Sequence, residues 1–169
     1  MEEIARRHLD IASQCSYADE AIHAVKERLD KLKEHHSKSQ ESDEYTHAEW
    51  TDTLLAFGED LSTQLFAWLL RGKGKEVQLQ WAGDFIETDS RFGSAVVDLE
   101  ASYTKLQQYL NGQNDFNSDQ LPSIIRLTQG FIGGDSQGRI TTLGRGGSDY
   151  SAALFAEALG AEYLEIWTD

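Results

Sequence analysis

Apolar residues recur every three or four positions along four stretches of this chain, and this spacing predicts four helical segments. The first segment covers residues 1–36 and contains a possible break near Ser16 and Tyr17. Its apolar positions fall on one similar face: Ile4, Ile11, Cys15, Ile22, Val25, Leu29 and Leu32. The polar stretch SKSQESD, residues 37–43, predicts a loop.

The second helical segment is predicted to begin at Thr46 and to run to about Leu70. Thr46 and Glu49 have the spacing of a capping box, in which the two side chains bind the free N–H groups of a helix start. Gly58 lies inside this segment and costs about 1 kcal/mol relative to Ala. It therefore suggests either a junction between two helices or a place where another group packs on bare backbone.

Apolar residues alternate with polar ones, or form short runs, in the stretches that predict strands. These stretches are residues 77–81, 124–127, 140–143 and 164–168, and glycines 133, 134 and 138 predict a hairpin leading into the third. A third helix is predicted over residues 97–110. Helices that alternate with apolar strands indicate an α/β fold around a mostly parallel sheet.

Composition narrows the class of protein. The 169 residues carry a net charge of −14, which repels nucleic acid. We expect no membrane-spanning segment, because no apolar run approaches the ~20 residues that a span requires. The first ten residues are charged throughout, unlike a secretory signal, and Cys15 is a single cysteine. These features predict a cytoplasmic protein.

Residues 138–169 combine a strand, a glycine turn, a helix and a second strand, and we expect the chemistry here. Gly144, Gly146 and Gly147 surround Arg145, and glycines let a backbone close around a ligand. Ser148 is predicted to cap a helix of about three turns that ends at Gly160, with an apolar stripe of Ala152, Phe155 and Leu159. A helix start beside an arginine is a place where an anion is held.

Each of these residues also has a purely structural interpretation. Arg145 could pair with its neighbour Asp149, and Asp149 could simply favour the positive end of the helix dipole. Ser148 is not expected to be a nucleophile, because GGSD lacks the G-x-S-x-G elbow. The turn also fits neither the dinucleotide nor the P-loop glycine spacing.

The histidines do not predict a metal site. His35, His36 and His47 flank a polar loop without a second cluster of ligands, so we expect them at the solvated surface.

Several blocks, in this order, resemble the aspartate kinases of the amino acid kinase family: FGEDLSTQLF, TDSRFGSA, TQGFIG, TTLGRGGSDYSAAL and IWTD. The resemblance runs from about Trp50 to Asp169. Within the family, the sequence of these blocks is more similar to the lysine-sensitive, single-function bacterial enzymes. It implies a three-layer αβα sandwich with helices on both faces of the sheet. Residues 1–169 would be part of that catalytic domain, and residues 1–45 its helical segment and polar loop.

The implied reaction transfers the γ-phosphoryl group of ATP, with Mg²⁺, to the side-chain carboxylate of L-aspartate. Its product is 4-phospho-L-aspartate, at the head of lysine, threonine and methionine biosynthesis. Glu59, Arg145, Ser148 and Phe131 would bind the amino acid, although Glu59 by itself is an ordinary exposed residue and Phe131 an ordinary core residue. Asp149 would act at the transferring group, and nucleotide would contact Gly146, Gly147, Thr168 and Asp169.

The sequence departs from the family pattern in three ways. Phe57 stands where many relatives have histidine, the phosphate-binding KFGGTS motif does not occur, and relatives continue beyond the position of Asp169. We therefore expect this chain to be an excised piece of the catalytic domain. By itself, this piece is expected to form homo-oligomers, to lack kinase activity and to show no feedback inhibition by lysine. The alternatives are another amino acid kinase, such as an acetylglutamate or uridylate kinase, and a non-catalytic interaction or regulatory module.

Overall fold

The structure is a computed structural model that describes residues 2–41, 46–112 and 124–167. The chain divides into two compact units. The first comprises the described parts of Met1–Gln80 and Ser123–Thr128, and the second those of Trp81–Pro122 and Gln129–Asp169. No helix among the described residues is long and apolar enough to cross a membrane.

Three helices dominate the first unit: α1 (Glu2–Ala12), α2 (Ala18–Glu41) and α3 (His47–Gly72). The predicted break near Ser16 and Tyr17 is confirmed, because it lies between α1 and α2. The loop predicted at residues 37–43 is wrong for residues 37–41, which continue α2, and residues 42 and 43 lie outside the described part. An ion pair between Lys38 and Glu34, one helical turn apart, supports this extra turn.

Helix α3 begins as predicted, since the side chain of Thr46 accepts a hydrogen bond from the N–H of Glu49 at 3.1 Å. It then runs through Gly58 without interruption, so the predicted helix junction is wrong. A Cβ atom built on Gly58 would meet nothing within 4 Å among the described residues. Nothing described therefore packs on this stretch of bare backbone.

The core of the first unit lies where the three helices meet, and Arg28 Nε joins α2 to Asp60 Oδ2 of α3 at 2.7 Å. Ile4 and Ile11, predicted to face this core, are 38% and 39% exposed. The face that α1 buries is rotated from the predicted one, because it is Ala5, Leu9 and Ala12 that pack against the other helices. The buried cluster comprises Ala12, Cys15, Ala21, Val25, Leu29, Leu61 and Leu65.

Two of the predicted surface histidines are half-buried against aromatic rings of α3. His35 meets Phe57 edge to face, with 5.4 Å between ring centroids, and His36 lies 5.1 Å from Trp50. Burial lowers the pKa of His35, with a smaller contribution from Lys38. The prediction of a solvated surface therefore fails for these two, while His47 is exposed.

The described residues contain five strands, which form two small sheets. In the first unit β1 (Glu76–Gln80) pairs in parallel with β3 (Ile124–Thr128), with Val77 opposite Ile125. In the second unit β2 (Glu87–Thr88) pairs in parallel with β4 (Ile132–Asp135), and β4 forms an antiparallel hairpin with β5 (Ile140–Thr142). Both the predicted hairpin and the mostly parallel pairing are confirmed among these strands.

The α-helices in the described part of the second unit are α4 (Leu99–Asn111), capped by Asp98, and α5 (Gly147–Ala158). The predicted C-terminal glycine is confirmed, since Gly160 has φ +60° and its N–H binds the carbonyl of Glu157. The predicted stripe of Ala152, Phe155 and Leu159 is confirmed only in part, because Phe155 is half-buried against the core cluster whereas Leu159 is 44% exposed. The buried residues of α5 are Gly147, Ser151 and Leu154, because α5 packs against β4 and the Ile86–Val97 cluster.

The strand predicted at residues 164–168 is absent from residues 164–167, and Thr168 lies outside the described part. Leu164 is 43% exposed and Trp167 is 89% exposed. A β-prone sequence forms a strand only when a neighbouring strand supplies hydrogen bonds, and no described strand pairs with this segment.

Candidate functional site

The glycine turn before α5 adopts a conformation that other residues rarely reach. Gly144 has φ +72° and Gly146 has φ +77°, both in the left-handed region. Gly146 is the N-cap residue, and its carbonyl accepts the first helical hydrogen bond from Tyr150 at 3.1 Å. The prediction that Ser148 caps the helix is therefore wrong, because the chain becomes helical before it.

A second turn, at Gly130 and Phe131, lies directly against this helix start. A Cβ atom on Gly147 would come within 2.7 Å of Phe131 Cβ, and one on Gly130 within 2.8 Å of Ser148 Oγ. Phe131 has φ +51° and is the only non-glycine residue with a positive φ in the described part of the chain. Two glycines and one strained residue thus allow the two turns to touch.

One buried hydroxyl connects these turns. Ser151 is 2% exposed, and its Oγ accepts a hydrogen bond from the N–H of Phe131 at 3.2 Å. The same hydroxyl donates to the carbonyl of Ser148 at 2.9 Å. On the other side of Phe131, its carbonyl accepts from the N–H of Leu143 at 2.9 Å. The backbone of Phe131 is therefore held at both its N–H and its carbonyl.

Several polar side chains lie just before α5 and in its first turn. Arg145, Ser148 and Asp149 are exposed, and Phe131 is half-buried beside them. Within the described part of the chain, neither Arg145 nor Asp149 makes a hydrogen bond or ion pair through its side chain, so the pairing of these two residues is not observed. An exposed guanidinium beside a helix N-terminus suits an anionic ligand.

The hairpin between β4 and β5 is held by a buried carboxylate that the sequence analysis missed. Asp135 is 5% exposed and accepts hydrogen bonds from Ser90 Oγ and from Nε and Nη2 of Arg139. Burial alone would raise the pKa of Asp135, but the hydrogen bonds from Arg139, Ser90 and the N–H of Gln137 together hold it below its ordinary value. The aspartate before a glycine turn was the available sequence signal.

Three further predicted site residues are Glu59, Thr168 and Asp169. Glu59 is half-buried on α3, in the first unit, whereas the two turns belong to the second. Thr168 and Asp169 lie outside the described residues. The structure therefore brings together Phe131, Arg145, Gly146, Gly147, Ser148 and Asp149. No group of three or more His, Cys, Asp or Glu side chains in the described ranges could hold a metal ion by itself.

Comparison with known proteins places this geometry in a family. The lysine-sensitive aspartokinase 3 of Escherichia coli is 45% identical over 121 residues, which are 70% of this chain and 25% of that protein. The aspartokinase of Chlamydia muridarum is 38% identical over 116 residues, which are 69% of this chain and 24% of that protein. The chain thus spans about a quarter of the length of these curated relatives.

Solved structures of an aspartokinase are also similar to this chain. The crystal structure of E. coli aspartokinase III in complex with aspartate and ADP superposes with a TM-score of 0.76 at 34% identity, covering 94% of this chain and 33% of that one. The complex of the same enzyme with lysine and aspartate gives a TM-score of 0.65 at 32% identity, covering 98% of this chain and 40% of that one. The fold is therefore part of the αβα amino acid kinase fold. Since the amino acid kinase family itself matches residues 5–169, the chain belongs to that family.

Proposed function

We propose that this chain is part of an aspartate kinase, which transfers the γ-phosphoryl group of ATP to the side-chain carboxylate of L-aspartate. The observation that carries the proposal is the exposed Arg145 in its glycine turn, with no partner among the described side chains and with Ser148 and Phe131 beside it. The similarity to an aspartokinase crystallised with aspartate and ADP supports the choice of substrates.

For the amino acid, the guanidinium of Arg145 binds a carboxylate as a two-pronged donor, and the hydroxyl of Ser148 adds a further hydrogen bond. The ring of Phe131 lines the pocket. We extend the proposal to Glu59 on the strength of the FGE motif, because an ammonium group needs a carboxylate partner.

For the nucleotide, Gly146 and Gly147 provide backbone close to the start of α5, where free N–H groups attract phosphate. Asp149 lies in the first turn of the same helix. One carboxylate together with substrate phosphates is a usual way to hold Mg²⁺, so Asp149 fits this ion, which would neutralise charge during the transfer. Thr168 and Asp169 remain predicted nucleotide contacts.

The substrate side can be tested by calorimetric titration of the 169-residue chain with L-aspartate. Replacing Arg145 by Ala should weaken binding about 10- to 100-fold, because one charge-assisted hydrogen-bonding group is lost. Arg145→Lys should give an intermediate affinity, since lysine keeps the charge but not the planar fork.

Arg91→Ala is the matched control, because Arg91 is an exposed arginine of the same unit that pairs with Asp89 at 2.6 Å. It changes the net charge equally and should leave the affinity unchanged. Equal weakening by both variants would contradict a specific role for Arg145. Tighter binding of acetylglutamate or a uridine nucleotide than of L-aspartate would favour another amino acid kinase.

Turnover provides the second test. ADP release with L-aspartate and MgATP is expected from a protein that carries this chain within a complete kinase domain, and not from these 169 residues alone. A complete protein that binds L-aspartate and never forms the acyl phosphate would favour the non-catalytic interpretation.

We place the protein in the cytoplasm, where ATP is available and a buried free thiol such as Cys15 stays reduced.

A further inference from the structure

We propose that Ser151 is a positioning residue, which holds Phe131 and Ser148 in register so that both face the same amino acid ligand. The inference rests on the proposed function for the role of that ligand, but its structural part stands separately. Ser151 lies within the block TTLGRGGSDYSAAL, but its position there indicated no role, since a serine inside a helix is more often a surface residue than a connector.

The first argument is the strain at Phe131. A bulky residue at φ +51° is disfavoured, and such a conformation persists only where the surroundings impose it. The N–H of Phe131 finds its hydrogen-bond acceptor in Ser151 Oγ. Without that acceptor, a partly buried N–H would lose its partner, and the left-handed conformation would lose one of its two restraints.

The second argument is the geometry of the hydroxyl. Ser151 Oγ has one proton, which it gives to the carbonyl of Ser148, and it accepts from Phe131 with a lone pair. A single atom therefore fixes the backbone of both proposed ligand-binding residues, which come from separate turns. Alanine removes both bonds at once, whereas threonine keeps the hydroxyl.

The third argument is the close packing of the two turns around this contact. A Cβ atom added to Gly130 or to Gly147 would lie less than 3 Å from an atom of the opposite turn. The two turns are thus packed too closely for a side chain on either glycine, and we infer that a shift at Ser151 moves the ring of Phe131 relative to Ser148.

The chain offers a close control in Ser102 of α4. Ser102 is fully buried, donates to the carbonyl of Asp98 at 2.6 Å and accepts from the N–H of Glu87 at 2.9 Å. It therefore makes the same bridge from a helix to a neighbouring backbone N–H in the same unit, but on α4 and not between the two turns. Ser102→Ala should cost similar stability without affecting the proposed pocket.

The experiment compares Ser151→Ala, Ser151→Thr and Ser102→Ala by NMR, well below their unfolding temperatures. Couplings and carbon shifts report φ of Phe131, hydrogen exchange reports its N–H, and titration reports L-aspartate affinity. For Ser151→Ala we expect Phe131 to leave the left-handed region, with exchange and the dissociation constant each rising roughly tenfold, as loss of a hydrogen bond implies. Ser151→Thr and Ser102→Ala should resemble the unmodified chain at Phe131 and in affinity.

An unchanged φ and exchange rate at Phe131 in Ser151→Ala would overturn the inference, whatever the affinity. So would an equal loss of affinity in Ser102→Ala, because the effect would then be general destabilisation. If the unmodified chain binds no L-aspartate, the proposed function fails for this chain. The φ angle and the hydrogen-exchange rate of Phe131 still test whether Ser151 positions the turn.

Discussion

Individual residues in this protein act mainly through the groups that surround them. Arg145 and Arg139 are both arginines near the glycine turns, yet Arg139 donates to a buried carboxylate and Arg145 is exposed without a partner in the described ranges. The side-chain type alone does not separate these two roles. The difference arises because Asp135 lies four residues before Arg139 across a tight hairpin, whereas Arg145 precedes a helix that turns its first side chains outward.

Asp135→Asn should destabilise the protein by about 2–3 kcal/mol, because the amide turns one acceptor oxygen into a donor that faces Arg139 and backbone N–H groups. Urea unfolding at neutral pH measures this loss. Asp89→Asn is the control, since Asp89 pairs with Arg91 at 2.6 Å but is far more exposed, and its loss should be clearly smaller. A smaller effect at Asp135 than at Asp89 would contradict a structural role for the buried carboxylate.

The same carboxylate predicts a dependence on pH. Its pKa is lower in the folded than in the unfolded protein, so its contribution is complete above the ordinary value of 3.8 and is lost as pH falls through the folded value. The difference in unfolding free energy between the unmodified chain and Asp135→Asn should therefore shrink below about pH 4. A constant difference down to pH 2 would show that the charge is unimportant.

Elements form where local sequence and packing agree. The capping pair of Thr46 and Glu49, the hairpin glycines and the terminal Gly160 are local signals, and each element began or ended accordingly. The errors occurred where packing decides: the buried face of α5, the extra turn of α2 and the isolated C-terminal segment. Periodicity locates a helix, but the neighbouring element selects which face is buried.

Two glycines in these elements should respond oppositely to alanine. Gly58→Ala should stabilise the protein by up to about 1 kcal/mol, because the added Cβ meets nothing described within 4 Å and alanine favours helix. Gly133→Ala should destabilise it by about 1–3 kcal/mol, because its Cβ would lie 2.6 Å from Thr88 Cγ2. Thr88 cannot easily turn away, since its hydroxyl is hydrogen-bonded to Thr141 at 2.6 Å.

Thermal unfolding of both variants checks this pair. A destabilised Gly58→Ala would contradict the open space described around this position. A neutral Gly133→Ala would show that β4 can shift away from Thr88 at little cost.

For the whole molecule, the net charge affects the binding of anionic ligands, and exposed apolar surface affects the binding of other proteins. A net charge of −14 opposes anionic ligands such as aspartate and ATP, so local cations and helix N–H groups must overcome the overall field. Apolar side chains also remain exposed on α3, where Leu55 is 50%, Phe66 51% and Leu69 44% exposed. These three positions fall on a similar side of the helix.

We propose that this face of α3 mediates the homo-oligomerisation expected from the sequence, because an exposed apolar patch marks a surface that binds another protein. Light scattering should then give a mass above 19.0 kDa that rises with concentration. Phe66→Ser should lower that mass, whereas Tyr163→Ser, at a side chain that is 76% exposed outside α3, should not. A monomer at every concentration would contradict the proposal.

The sequence by itself determined the alternation of helices and strands, the hairpin, the glycine turn and the family, because these depend on spacing and on residues with special backbone freedom. Only the tertiary structure decided that Gly146 rather than Ser148 caps α5, that Arg145 and Asp149 do not pair, and that Ser151 connects two turns twenty residues apart. Contacts between segments distant in the chain depend on how their backbones approach each other, and no local pattern of residues contains that distance.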